Sequence, residues 1–412
     1  MNYAELPLER LGIGQPVPVN ILDARGNLLL RKGQVVASEQ HREMLARHGA
    51  SVLESDYRAW TRSHDRLISR MLRDGASVEQ LHATPLPATI AESDYTIGFA
   101  IVGGWLDVHE VHKALLGQAG AARNAVERIE AVHARATTLL DADPDQSLFT
   151  LLQALPDLSV SYAAKHALLA AVLGELTMRR LDMPELLRPA LFQAALTMNM
   201  AMARLQDELV RQTDELTPEQ REAIATHAAR SAEMLQAFGM DDPDVIDIVV
   251  GHHDVALPVR HERNRELRLV LHVVDQFIAR MSPRATRIGA SAPSATKSMV
   301  DLQSPEAARV ATALGAAVGF YPPGTYVQLA NGETAVVARR GAAAHAPVVV
   351  SLLKPDGLPL LQYAARDTAQ RPFAVRMAVP AERVRVRISS RQMEAALARL
   401  AAATAAASGP SP

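Results

Sequence analysis

Residues 189–202 read Pro-Ala-Leu-Phe-Gln-Ala-Ala-Leu-Thr-Met-Asn-Met-Ala-Met. Pro189 is typical of the first turn of an α-helix, and the apolar residues that follow recur at the spacing of one helix face. We therefore predict a helix from about 189 to 209 whose apolar face packs into a core. The positions of that face are Leu191, Ala195, Met198, Met202 and Leu205.

The segments around this helix carry histidines and an aspartate at positions that face inward. A predicted helix over 158–180 places His166 on the same face as its leucines. His227 shares a face with Ile224 and Leu235. The helix periodicity therefore directs these imidazoles toward a common core. The complete set of inward or terminal polar residues is His166, His227, His252, His253 and Asp275.

The ends of the helix that carries His227 are marked in the sequence. Thr217-Pro218-Glu219-Gln220 is a capping box with proline at the first helical position. Gly239 is a typical residue at which such a helix ends. Asp242-Pro243 begins the next helix, which runs into His252 and His253 at its end.

The order and spacing of these five side chains resemble those of the metal ligands in HD-type phosphohydrolases. Residues about 155–320 resemble the HD-GYP branch of that superfamily, whose active members hydrolyse cyclic di-GMP. The resemblance implies a helical domain in which the five side chains surround a metal centre. It also implies that positions 198 and 199 hold a His-Asp dyad, with the aspartate bridging two metals.

This chain departs from the family at its defining motifs. Met198 and Asn199 stand at the positions of the dyad. The Gly-Tyr-Pro loop that follows the paired histidines in the family is replaced by residues 255–258, Val-Ala-Leu-Pro. Active relatives often carry a glutamate one turn before the first histidine, where this chain has Tyr162, and the expected proline after His227 is Ala228.

These departures bear directly on chemistry. Hydrolysis by paired metals needs a water activated by both ions, and Asn199 lacks the charge of a bridging carboxylate. Met198 is a soft thioether that suits divalent ions poorly. We therefore expect either no cofactor or one Fe, Mn, Zn or Ni ion held by the remaining side chains. The alternative is that Met198 packs as core, Asn199 makes a neutral hydrogen bond, and the other groups form a hydrogen-bonded polar core.

Composition narrows the class of protein. The chain has 412 residues, 48% of them hydrophobic, and a formal net charge of -2, which argues against a nucleic-acid partner. The absence of cysteine excludes disulfides. There is no uncharged apolar run long enough to span a membrane and the first residues lack the features of a signal peptide. We expect a cytoplasmic protein.

The flanking segments predict small β modules. Residues 15–36 read as a hairpin around residues 23–26, followed by a helix at 38–48 and a strand at 51–53. Near the C-terminus, Asn331-Gly332 between alternating strands is typical of a type I′ hairpin. Further strands are predicted at 348–353, 358–363, 373–377 and 384–388, with a short helix at 390–402. Residues 105–143 are predicted to be helical.

The sequence thus predicts a mainly α protein: a central HD-type helical bundle, an N-terminal α/β module and a C-terminal small antiparallel β domain. The expected divisions are 1–56 for the hairpin and helix module, 57–145 for a helical connecting region, 146–318 for the HD-GYP-like domain, 319–390 for the β domain, and 391–412 for a short helix and disordered tail.

Three functions remain open at this level. The first is a catalytically inactive or strongly impaired HD-GYP-like protein that acts in bacterial signalling through protein partners or as a homo-oligomer. The second is a residual metal-dependent cyclic di-GMP phosphodiesterase with a mononuclear site. The third is a non-catalytic nucleotide sensor. The missing loop, which lines the nucleotide site in the family, argues against cyclic dinucleotide binding.

Overall fold

The computed structural model describes residues 3–407 except for 24–26, 74–75, 78–79, 82, 91–95, 98–99, 102, 159, 303 and 387. The chain is mainly helical, with small antiparallel sheets toward both ends, as the sequence predicts. It forms two compact units, Met1–Asp107 with Ser389–Gln392, and Val108–Ile388 with Met393–Pro412. None of the described helices is both long and apolar enough to cross a lipid bilayer.

The first unit contains a four-stranded antiparallel sheet. Its spatial order is β1-β4-β2-β3. The predicted hairpin is the pair β2 and β3, and its turn at 24–26 lies outside the described residues. Strand β1 was not predicted, because three residues are too few to display an alternating pattern. The elements are β1 (Tyr3–Glu5), β2 (Ile21–Leu22), β3 (Leu28–Leu30), α1 (Glu39–Arg47), β4 (Ser51–Leu53), α2 (Glu54–Arg73), β5 (Thr96–Ile97) and β6 (Ala100–Ile101).

The second unit is built on a helical bundle. Helix α3 crosses the boundary between the units, and the remaining helices follow in chain order. The helices are α3 (Trp105–Gln118), α4 (Ala125–Ala142), α5 (Pro144–Ala154), α6 (Tyr162–Arg180), α7 (Arg188–Thr197), α8 (Ala203–Leu209), α9 (Pro218–Ala237), α10 (Pro243–Gly251), α11 (Glu262–Met281), α12 (Ala292–Leu302) and α13 (Pro305–Val318).

Helix α6 is the centre of this bundle. Every residue from Tyr162 to Met178 is buried. It packs against α5, α7, α11 and α13. A helix that is surrounded on all sides needs apolar residues around its whole circumference, and α6 supplies alanine, leucine and valine. A histidine on such a helix must find its polar partner inside the protein.

Two predicted helices are interrupted. The segment 105–143 divides into α3 and α4, and Asn124 adopts a left-handed φ of 49° immediately before α4. The segment 189–209 divides at Met198 and Asn199, after which Met200–Met202 forms a 3₁₀ turn and α8 begins. Asn199, with φ -106° and ψ 12°, lies in the bridge region. Apolar periodicity alone does not reveal such a break.

The C-terminal sheet has five antiparallel strands in the order β10-β9-β8-β7-β11. The predicted hairpin between β7 and β8 is present, but its predicted type I′ turn is wrong: Gly332 has a positive φ of 87°, whereas Asn331 does not, and type I′ requires positive φ at both positions. The elements are β7 (Tyr326–Leu329), β8 (Thr334–Arg339), β9 (Val348–Leu353), β10 (Pro359–Asp367), β11 (Val375–Val379) and α14 (Ser390–Ala407). Helix α14 is longer than predicted, and residues 408–412 of the predicted tail lie outside the described part.

The predicted strand at 384–388 is wrong for its described residues. Residues 384–386 and 388 belong to no strand, and a 3₁₀ turn at Ala381–Arg383 precedes them. Strand β11 ends at Val379, immediately before Pro380, which has no N–H to donate to a sheet. Val384 and Ile388 instead pack against the apolar cluster on one face of the sheet. The alternation of apolar and polar residues from 384 to 388 reflects this packing.

The sheet is fixed to the bundle by polar contacts within the second unit. Tyr326 donates its hydroxyl to Gln153 Oε1 at 3.2 Å. Arg340 pairs with Asp145 at 2.5 Å and also donates to the Ala317 carbonyl at 2.7 Å. The β domain therefore rests on α5 and on the end of α13.

Candidate metal centre

Three histidines from two neighbouring helices meet at one point. His227 lies in the middle of α9, His252 caps the end of α10, and His253 follows it. His227 Nε2 lies 3.3 Å from His252 Nε2 and 3.2 Å from His253 Nε2. One nitrogen from each of the three rings falls within 4.8 Å of those of the other two. The helix-end position of His252 and His253 is what lets adjacent residues converge.

The other ring nitrogen of two of these histidines is already bonded. His227 Nδ1 donates to the Ile224 carbonyl at 2.6 Å, and His252 Nδ1 donates to the Val249 carbonyl at 2.7 Å. A carbonyl only accepts, so both protons must be on Nδ1. In the neutral rings both Nε2 atoms therefore present lone pairs. Metal-ligating histidines are commonly oriented by a hydrogen bond of this kind.

The surroundings favour neutral imidazoles. Burial, and to a smaller extent the nearby His253, lower the pKa of His252 to about 3. Burial is also the main cause that lowers the pKa of His227 and of His253. The Asp275 carboxylate acts in the opposite direction on all three rings. Neutral imidazole is the form that binds a metal.

His166 is engaged with Asp275. His166 Nε2 lies 2.7 Å from Asp275 Oδ1, and Tyr162 bridges the other ring nitrogen of His166 and Ser282, at 3.1 Å from each. Burial alone would raise the pKa of Asp275, but the hydrogen bond from His166 and the neighbouring histidines hold it well below its ordinary value. Tyr162 thus orients the imidazole.

A cavity of about 580 Å³ connects these groups. His166, His253, Asp275 and Asn199 line it, whereas His227 and His252 are not among its lining residues and contact His253. The sequence predicts that His166, His227, at least one of His252 and His253, and Asp275 converge in one cavity. The structure brings the five side chains close together, and three of them, His166, His253 and Asp275, line the cavity.

The two residues at the dyad positions are both buried. Met198 is fully buried at the end of α7. Asn199 is 7% exposed, and its buried Oδ1 has no hydrogen-bond partner among the described residues. Of the side-chain atoms with which Asn199 was predicted to make a neutral hydrogen bond, Oδ1 makes none with the described residues. An unpaired buried carbonyl on the wall of a cavity is available to a ligand, a water or an ion.

The segment that replaces the Gly-Tyr-Pro loop is held by a buried arginine. Arg268 donates to the carbonyls of Leu257 and Pro258 at 2.9 and 3.2 Å, and to Asp247 Oδ1 at 2.7 Å. A Cβ on Gly251 would approach Arg268 Nε to 2.3 Å, so only glycine fits beside it. Val255 is half-buried and residues 256–258 are exposed, so this segment lies on the surface, where Arg268 holds its carbonyls.

Sequence reasoning missed His272. It precedes Asp275 by one turn of α11, and its Nδ1 donates to the His252 carbonyl at 2.9 Å. It therefore supports the chain between the two paired histidines. The spacing of His272 from Asp275 places both near one face of α11. The apolar periodicity of the sequence does not indicate that His272 contacts the end of α10.

The donor set is compatible with one transition-metal ion. Three neutral imidazoles of suitable orientation match the ligands of zinc, nickel or iron. Asn199 Oδ1 and Asp275 line the neighbouring cavity, but Asp275 is not among the described groups whose ligand atoms converge within 4.8 Å. No second carboxylate stands at position 199 to balance a second dication. The residues fit one ion.

The comparisons with known proteins are sparse. No protein-family model matches the sequence, and no curated protein matches it. Among solved structures the fold is similar to Bd1817, described as an HDG"Y"P protein from Bdellovibrio bacteriovorus. That likeness has a TM-score of 0.42 at 12% identity and covers 75% of this chain and 98% of Bd1817. At these values the likeness by itself carries no argument about function.

Proposed function

We propose that this protein is a degenerate HD-GYP-like protein that acts in signalling by binding, with at most one metal ion and without turnover of cyclic di-GMP. The proposal rests on two features that occur together: an intact three-histidine cluster and a neutral Asn199 at the dyad position. The cluster supports metal binding, and the missing carboxylate argues against a second ion.

The arrangement of His166 and Asp275 supports the same proposal. Their 2.7 Å contact satisfies the Asp275 oxygen from within the protein. A carboxylate engaged in this way needs no metal to offset its burial. The two elements that an active site would combine are thus stabilised separately: a histidine cluster at α9 and α10, and a hydrogen-bonded pair between α6 and α11.

The segment held by Arg268 also argues against substrate binding of the family's kind. Its contacts with Leu257 and Pro258 fix the chain immediately after the paired histidines. Any nucleotide would have to be recognised without a Gly-Tyr-Pro loop. A residual phosphodiesterase with one ion is therefore the less favoured alternative.

A second candidate function, a non-catalytic nucleotide sensor, has one observation in its favour. Arg284 lines the cavity with His166 and forms no ion pair within the described part of the chain. Burial raises the pKa of the Tyr162 phenol, and the positive charges of Arg284 and Arg287 nearby lower it in part. Guanidinium groups that lack carboxylate partners are suited to phosphate.

The test is a turnover assay on cyclic di-GMP with purified full-length protein, reconstituted separately with Fe, Mn, Zn and Ni. His227→Ala serves as the matched variant that removes one member of the cluster. We expect no hydrolysis above that of His227→Ala with any metal. Metal-dependent turnover near the roughly 1–1000 s⁻¹ typical of enzymes, lost in His227→Ala, would overturn the proposal in favour of the phosphodiesterase.

Direct binding measurements separate the first proposal from the sensor. Titration calorimetry with cyclic di-GMP and with its linear product should give no heat of binding for a scaffold protein. Tight binding without turnover, weakened by Arg284→Met, would identify a sensor. The variant Arg265→Met, which removes an exposed arginine of α11, is the control for a general loss of positive charge.

A further inference from the structure

Helix α11 carries a row of polar side chains at four-residue intervals. The row consists of Arg268, His272, Gln276 and Arg280. Residues four apart are neighbours on one face of a helix, and two members of the row reach the end of α10. Arg268 Nε donates to the Asp247 carbonyl at 3.0 Å, and His272 Nδ1 donates to the His252 carbonyl at 2.9 Å. The row therefore leads to the paired histidines.

Three members of this row are joined by hydrogen bonds whose direction is fixed. Arg280 Nη1 donates to Gln276 Oε1 at 3.0 Å, and Gln276 Nε2 donates to His272 Nε2 at 2.6 Å. A guanidinium has no acceptor, so the Gln276 amide must turn its oxygen to Arg280 and its N–H to His272. His272 in turn donates through Nδ1 to the His252 carbonyl. Each contact thus joins one donor to one acceptor, and only one tautomer of His272 fits.

The His252 carbonyl belongs to the peptide that joins the two adjacent histidines. Helix α10 ends at Gly251, and carbonyls at the end of a helix have no partner within the helix. The rotation of this peptide sets the angle between the rings of His252 and His253, whose centroids lie 4.1 Å apart. Because the His272 contact fixes that rotation, it holds both rings where their Nε2 atoms lie 3.3 and 3.2 Å from His227 Nε2.

We propose that His272 is a positioning residue of the metal centre, and that Gln276 and Arg280 in turn hold His272. The row keeps the imidazoles of His252 and His253 aimed at one ion, so the cluster need not be ordered when the ion binds. Removing groups that orient metal ligands typically lowers metal affinity by about 10–100-fold. This inference rests on the metal binding in the proposed function, and it assigns a role to residues that the ion itself does not touch.

The experiment is a titration of the metal-free full chain with Co²⁺, followed by visible absorption, and with Zn²⁺ in competition. The absorption of bound Co²⁺ depends on the type and geometry of its ligands. His272→Leu removes the donor to the His252 carbonyl. It should weaken the binding of both ions at least about tenfold and change the Co²⁺ spectrum. His133→Leu is the matched control: His133 is a half-buried histidine of α4 stacked on Phe192, and its substitution should leave both readouts at the parent values.

Two further variants separate positioning from a general effect on the fold. Asparagine carries an N–H donor at the position of Nδ1 in histidine, so His272→Asn should bind Co²⁺ with an affinity and a spectrum closer to the parent than to His272→Leu. Gln276→Leu keeps the Nδ1 contact but removes the donor to Nε2, so its loss of affinity should lie between those of His133→Leu and His272→Leu. Thermal melts of the metal-free variants measure stability separately. A purely structural role would lower the melting temperature of His272→Leu without changing the Co²⁺ spectrum.

The outcomes distinguish this inference from the proposed function. If the parent binds Co²⁺ or Zn²⁺ and His272→Leu matches His133→Leu in affinity and spectrum, the positioning role alone is overturned. Equal losses in His272→Asn and His272→Leu would also overturn it. A parent that binds neither ion would overturn the metal centre and this inference together. If His272→Leu does not fold, Gln276→Leu is compared with His133→Leu, and equal affinity in those two would refute the positioning role.

Discussion

His227 and His252 direct their Nε2 atoms at each other across 3.3 Å, while each ring donates its Nδ1 proton to a carbonyl of its own helix. With both protons fixed on Nδ1, no proton remains between the two Nε2 atoms in the neutral rings. His253 Nε2 lies 3.2 Å from His227 Nε2, and it can supply at most one proton to that contact. The lone pairs of His227 and His252 therefore face each other, and that of His253 joins them when its proton is on Nδ1; a cation would stabilise this arrangement.

The first prediction follows from this convergence. The purified protein should bind about one zinc or nickel ion per chain after dialysis, because three imidazoles are available without rearrangement. His227→Ala should lower the affinity at least about tenfold, in line with the usual effect of disturbing a metal site. Elemental analysis measures the stoichiometry. His133→Ala is the control, since His133 is a partly buried imidazole stacked on Phe192, away from the cluster. Equal metal content in both variants would refute the site.

The second prediction concerns the dyad positions. Met198→His with Asn199→Asp should destabilise the metal-free protein by about 1–3 kcal/mol, because a carboxylate would replace a buried amide whose oxygen is already unpaired. Added Mn or Fe should restore the melting temperature by mass action and raise metal content toward two ions. The control is Met200→His, which changes a buried neighbour outside the cavity lining. A double variant that binds no more metal than the parent would show that the cavity has lost the ancestral geometry.

The third prediction concerns Arg268. Arg268→Met should lower the free energy of unfolding by about 3–5 kcal/mol, because it leaves the Asp247 carboxylate without its buried cation. Arg265→Met, the same substitution on the same helix, breaks an exposed pair with Glu262 and should cost no more than about 1 kcal/mol. Urea denaturation compares the two. Similar losses in both variants would mean that Arg268 contributes little to the fold.

The fourth prediction concerns His112 on α3. Burial, and to a smaller extent His109, lower the pKa of His112 to about 3, with only a partial offset from the Leu196 backbone. Neither ring nitrogen makes a hydrogen bond of normal geometry with the described residues. His112→Leu should therefore stabilise the protein, on the order of 1–3 kcal/mol, by removing an unsatisfied polar group.

The same substitution should change the pH dependence of stability. As pH falls from 6.5 toward 3, the unfolded chain takes up a proton on His112 while the native state does not, so this residue makes stability fall with pH in that window. The fall should be smaller in His112→Leu than in the parent, by up to about 1.4 kcal/mol per pH unit. Parallel curves for the two proteins, measured by urea denaturation between pH 4 and about 7, would contradict the assignment.

The sequence by itself determined the features that depend on neighbours within about one helical turn. The capping box of Thr217 and Gln220 is present as predicted, with both of its hydrogen bonds. The inward phase of His166 and His227 follows from the period of their helices, and both are buried. The hairpin at Asn331-Gly332 also follows from local backbone preference, because Gly332 readily adopts the positive φ of this turn, although the turn is not the type I′ that was predicted. These features need no knowledge of the remaining chain.

Only the tertiary structure decided which polar groups meet. His166 contacts Asp275, 109 positions away, and the packing of the middle of α9 against the end of α10 brings His227 to His252 across 25 positions. The break at Asn199 and the unpaired state of its oxygen likewise depend on how α7 is packed. Periodicity fixes the face on which a side chain lies, but not the partner on the opposing helix, because helix packing is set by the combined shape of many side chains.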